Sequence, residues 1–198
     1  MSLHPAENRA YRELYLTARE AETRLERLSG HLPEEAALPV GKAAAALRAL
    51  VEELRPETAR HDLHSELAAE GGGARIGTVR AAILDRFLER NQALRFAVDD
   101  LEHVTTLLAY LAALSAKRKD KRLPELCQGW ERKMRRHVGT VRKAAIALAD
   151  DPDSAIEALD PSPVGQLAHG SAVAVGAAGE AIDRKVAQTR RGILRRRR

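Results

Sequence analysis

From Tyr11 onward the apolar residues recur at alternating steps of three and four, and this spacing constrains the chain more than any other feature. Tyr11, Leu14, Ala18, Ala21, Leu25 and Leu28 fall on one stripe of a helix predicted from about Pro5 to Ser29. Gly30 ends that helix and Leu32-Pro33 opens a connection. Val40, Ala43, Leu47, Leu50 and Leu54 repeat the stripe in a second helix, starting near Glu34 or Pro39, and Pro56 is expected to kink or restart it. Gly71-Gly72-Gly73 forms the clearest internal break.

A third helix is predicted from about Arg75 to Ala116, with Leu84, Phe87, Asn91, Leu94, Val98, Leu101, Thr105, Leu108 and Ala112 along its seam. Asn91 and Thr105 interrupt the seam as buried polar groups do when they fix the register of a bundle. The fourth helix, from about Asp120 to Ala149, carries Leu123, Cys127, Trp130, Met134, His137, Val141, Ala144 and Leu148. Asp151 and Pro152 start a short helix through Leu159, and Asp160-Pro161-Ser162-Pro163 repeats the device before a last helix. Gly165, Gly176 and Gly179 are expected to let that helix pack close to a neighbour.

The expected fold class is therefore all-α: a bundle of four to six amphipathic helices, mostly antiparallel, with short connections. Residues 1–190 are expected to form a single domain and 191–198 a basic C-terminal tail. Strong helix formers dominate and no apolar-polar alternation persists long enough to read as a strand. Val164 to Gly179 is free of charge yet shorter and less apolar than a spanning helix, so no transmembrane segment is expected. The N-terminus lacks the pattern of a secretory signal, and Cys127 is the only cysteine, so a disulfide framework is excluded and a cytoplasmic setting is expected.

The net charge of +5 is unevenly distributed. Residues 117–143 hold eleven Lys and Arg against three acids, and residues 181–198 hold eight against Asp183, so the rest of the chain is acidic. Such segregation predicts a non-enzymatic bundle that associates with itself or with an acidic or polyanionic partner through segments 117–143 and 184–198. The candidate contacts are Lys117, Arg118, Lys119, Lys121, Arg122, Arg132, Arg135, Arg136 and Arg142, with Arg195, Arg196, Arg197 and Arg198 in the tail. The partner would be a protein, another copy of the chain, nucleic acid or polyphosphate. With only six aromatic residues, most at core-like positions, binding to phosphates rather than stacking on bases is expected.

The chain has no complete set for nucleophilic catalysis, and no resident cofactor is expected. An alternative reading is a ferritin-like or hemerythrin-like bundle holding iron or another transition metal through His61, His64, Asp100 and His103. The chain supplies one Asp-x-x-His pair and no Glu-x-x-His motif, which departs from the di-iron pattern. The Arg132-x4-His137 spacing is similar to the motif of helical HEPN-type ribonucleases, where Arg and His would act at a scissile phosphate. Arg24/His31 and Arg55/His61 lie at comparable separations, so the spacing assigns no family.

Overall fold

The computed structural model describes residues 3–60, 88–117, 119, 121–171, 173, 174, 184 and 185. Its helices are α1 (Pro5–Ser29), α2 (Glu34–Arg60), α3 (Arg90–Ser115), α4 (Arg122–Ala147) and the single-turn α5 (Pro152–Ala155), with a 3-10 turn at Leu148–Asp150. A further helical stretch begins at 163. Apart from an isolated bridge between Glu89 and Ala158, the described residues contain no β-structure. The expectation of an all-α bundle is met.

Helix α1 begins where the sequence places it because Pro5 occupies its first position and the chain closes a capping box. The amide of Ala6 donates to Nδ1 of His4 at 3.2 Å, and Oε2 of Glu7 accepts from the His4 amide at 2.8 Å. Helix α2 continues to Arg60 with both Pro39 and Pro56 inside it, so of the two expectations at Pro56 the restart is corrected. Proline at 56 leaves the carbonyl of Glu52 without its helical donor, but both residues are exposed, so water can satisfy that carbonyl.

The third helix is also corrected. It does not run unbroken from about Arg75, because Glu89 is extended at φ −77°, ψ 155°. There the backbone bonds instead to the segment after α4: Arg90 N donates to Glu157 O and Leu159 N to Leu88 O, both at 3.0 Å. The expected positions before residue 88, including Leu84, Phe87 and the three glycines, lie outside the described residues.

Four helices pack in a ring in which each touches two neighbours: α1 against α2, α2 against α4, α4 against α3 and α3 against α1. Neighbours are antiparallel. Tyr11 donates to the Leu54 carbonyl while Arg48 reaches Glu22 and Glu26, which orients α1 against α2. Arg122 pairs with Glu57 and Trp130 with Glu53 across α2 and α4. Arg27 and Leu28 lie beside Ala93 and Phe96, whereas His103 lies 3.9 Å from Glu13, so α3 also runs opposite to α1. Helices α2 and α3 consequently point the same way on the diagonal, so the end of α2 and the start of α3 lie at opposite ends of the bundle.

The predicted seams meet in one apolar cluster. Leu14, Leu25, Leu47, Leu50, Leu54, Leu94, Leu101, Leu108 and Leu111 have no exposed surface, and Trp130 and Met134 close the cluster from α4. Burial at this scale is the main term favouring the fold. The two seam interruptions behave differently from a register-fixing pair. Thr105 donates to the Leu101 carbonyl of its own helix at 2.7 Å, so it is satisfied without a partner helix. Asn91 donates to the carbonyl of Ala155 at 2.9 Å and thereby holds the α5 segment against the start of α3.

The expected Asp151 cap is present: its carboxylate accepts from the Ser154 amide at 3.2 Å, although α5 ends at Ala155 rather than Leu159. Ser162 caps the next helical stretch, accepting from the Gly165 amide. A Cβ at Gly165 would lie 2.4 Å from the Asp160 carbonyl oxygen, so this glycine serves the local turn and not contact with a neighbouring helix.

Candidate functional site

Helix α4 has two faces set by its sequence period. Leu123, Cys127, Trp130, Met134 and Val141 are buried. At 100° per residue, Arg132, Arg136, Gly139 and Lys143 lie within about 60° of one another on the opposite side. Arg132, Arg135, Arg136, Arg142 and Lys143 are all exposed. A Cβ at Gly139 would meet nothing within 4 Å, so the middle of the face is open down to the backbone.

What distinguishes this face is that several cations without counter-charge lie close together on one helix. Elsewhere Arg48 is paired with Glu22 and Glu26, Arg24 with Asp100, Arg90 with Glu157 and Arg55 with Glu52, and the exposed arginines without an ion pair among the described residues, Arg9, Arg19 and Arg95, are spread over α1 and α3. The two carboxylates beside Arg48 raise its pKa further, first through their hydrogen bonds. On α4 the cation of Arg135 is taken by Glu131 one turn away, and Lys133 lies 4.0 Å from the centre of the Trp130 ring. Arg132, Arg136, Arg142 and Lys143 form no ion pair among the described residues.

The other sequence-derived contacts divide accordingly. Arg122 binds the buried carboxylate of Glu57 with Nε at 2.8 Å and is thus part of the fold. Lys121 donates to the carbonyl of Ala116, closing the turn between α3 and α4. Lys117 and Lys119 are exposed near that turn. Arg118 and Arg195 to Arg198 lie outside the described residues, and of the C-terminal segment only Arg184 and Lys185 are described as exposed charges. Lys143 was not singled out from sequence, although its separation of eleven residues from Arg132 places it on the same face.

The proposed metal ligands are not brought together among the described residues. His61 and His64 lie outside them. Both carboxylate oxygens of Asp100 accept from Nη1 of Arg24, at 2.9 and 3.2 Å, so its charge is already used in joining α1 to α3. His103 is exposed beside Glu13. No group of three or more His, Cys, Asp or Glu side chains suited to a metal occurs among the described residues.

His137 lies half-buried on the flank of α4, about 140° around the helix from Arg132 at 100° per residue. These two side chains therefore do not converge on one point within the chain. Burial, and secondarily the charge of Arg136, hold the imidazole below its usual pKa. The unfolded chain then takes up the proton first as the pH falls through about 6.5, so stability contributed by neutral His137 is present at higher pH and lost below. Thermal melts at about pH 5 and pH 7.5 are expected to differ less in His137→Gln than in the parent.

Cys127 is fully buried and its thiol is pushed up to about 12, chiefly by burial and then by the carboxylate of Glu57. The nucleophilic thiolate is thus scarce at neutral pH. Iodoacetamide at about pH 8 is expected to leave the native protein unmodified and to alkylate Cys127 completely in guanidinium chloride; mass spectrometry reads both results.

Fold and site together define an all-α four-helix bundle whose fourth helix carries exposed cations without ion pairs among the described residues. No protein-family model matches the chain, and comparison with curated proteins and with solved structures finds no match. Among the described residues no helix is long and apolar enough to cross a membrane.

Proposed function

We propose that this protein is a non-enzymatic helical bundle that binds a chain of phosphates along the outer face of α4. The observation that carries the reading is the row Arg132, Arg136 and Lys143, with Arg142 on its flank, all exposed and without carboxylate partners among the described residues. From Arg132 to Lys143 the row spans about 16 Å at the helical rise, enough to meet several successive backbone phosphates. No aromatic side chain lies at its centre, so contact is with phosphate and carries little base preference. The buried thiol of Cys127 fits a reducing, cytoplasmic setting.

Fluorescence anisotropy with labelled duplex DNA, single-stranded RNA and polyphosphate tests the reading and separates the sources of phosphate. Four contacts predict that log K for duplex DNA falls with log salt at a slope of about −3.6, and less steeply for a single strand. Failure to bind any of the three at about 50 mM salt overturns it.

A further inference from the structure

We infer that a second copy of this chain packs antiparallel along the outer face of α3, at a surface separate from the α4 row. Three observations combine. Phe96 and Tyr110 are 46% and 54% exposed, whereas the other described aromatic residues, Tyr11, Tyr15 and Trp130, are buried. They stand fourteen residues apart with exposed His103 midway, so all three share one stripe at seven-residue spacing. Three residues after each of them, at the alternate positions of the same repeat, lie the small or polar residues Asp99, Thr106 and Ala113, all exposed.

The pattern is self-complementary in one direction. In an antiparallel pair of α3 helices that sets Phe96 opposite Ala113, His103 falls opposite Thr106 and Tyr110 opposite Asp99. Each large side chain then meets a smaller one, and the phenol and imidazole meet groups able to hydrogen-bond with them. A parallel pair would instead stack Asp99 on Asp99.

Charge at the two ends of α3 selects the same direction. Exposed Lys117, Lys119 and Lys121 follow its C-terminus, whereas exposed Asp153 lies in the single-turn helix that packs on its N-terminal end, with exposed Asp150 in the 3-10 turn just before that helix. These ends are about 39 Å apart along a helix of 26 residues. An antiparallel copy brings lysines to aspartates at both ends, and the repeated contact is that of a closed two-fold dimer.

The test uses the full chain without polyanion. Sedimentation equilibrium is expected to show a dimer at low salt. Lys117→Glu with Lys119→Glu and Lys121→Glu is expected to give monomer, and adding Asp150→Lys and Asp153→Lys to that variant to restore the dimer. For direction, His103→Cys places two thiols about 5 Å apart along the pair and is expected to cross-link under oxidation, whereas Phe96→Cys places them about 25 Å apart and is not. Buried Cys127 supplies no competing thiol. A monomeric parent overturns the proposal, as does a dimer that cross-links through Phe96→Cys, that fails to cross-link through His103→Cys, or that is indifferent to the lysine reversals.

Discussion

Replacing Trp130 with alanine is expected to lower stability by about 3–5 kcal/mol, the range for deleting a large aromatic side chain from a core. Trp130 is 4% exposed and enters the apolar cluster from α4. Its indole N–H also donates to Oε2 of Glu53 at 2.8 Å, tying α4 to α2, and Lys133 covers the ring from outside. Alanine removes the packing, the inter-helix hydrogen bond and the cation-π contact together. Phenylalanine keeps most of the packing and loses the bond to an ionised group, a cost of about 1.5–3 kcal/mol. Guanidinium unfolding followed by circular dichroism separates the two variants, since neither retains the only tryptophan as a fluorescence probe. If Trp130→Ala unfolds at the same denaturant concentration as the parent, the packing of α4 against α2 described above is wrong.

Reversing Arg132, Arg136 and Lys143 together to glutamate is expected to abolish measurable duplex binding at about 200 mM salt. Reversal adds repulsion to the loss of three phosphate contacts, and neutral replacement is the cleaner measure of the contacts themselves. Arg132→Gln with Arg136→Gln and Lys143→Gln should make the salt slope shallower by about 2.7. None of the three side chains makes an ion pair among the described residues, so both variants should keep the parent's circular dichroism spectrum and melting behaviour. Binding that survives both changes would move the contact away from α4 and end the reading given for it.

The parts of this molecule legible in the sequence are those governed by local period. The stripe from Tyr11 to Leu28 needs only the 3.6-residue turn to be recognised, and α1 occupies the predicted residues. The start of α3 was not legible for the opposite reason. Glu89 is extended because residues 157–159, some seventy positions later, bond to the backbone at 88–90, and no local pattern carries that information. Pro56 restarts no helix for a simpler reason: the rule concerns a hydrogen bond lost inside a helix, and an exposed last turn can give that bond to water.

The basic face was half legible. Counting charges located segment 117–143, but could not tell Arg122, committed to the buried Glu57, from Arg132, which faces outward. That distinction depends on what the adjacent helix presents. Phe96 and Tyr110 were passed over because a sequence with few aromatics invites each to be placed in the core, whereas their spacing from the buried Leu94, Leu101 and Leu108 sets them on the far side of α3.

The ring order of the helices has a kinetic consequence. Helices α1 and α2 are joined by four residues, as hairpin partners that meet quickly, and α3 and α4 are likewise close in sequence. The interfaces of α1 with α3 and of α2 with α4 can form only when one hairpin is laid against the other, after the cost of closing a much longer stretch of chain. Each hairpin alone leaves the remaining flank of its apolar stripes in water. The leucines of all four helices can therefore exclude solvent together only in a state where the two hairpins are laid against each other.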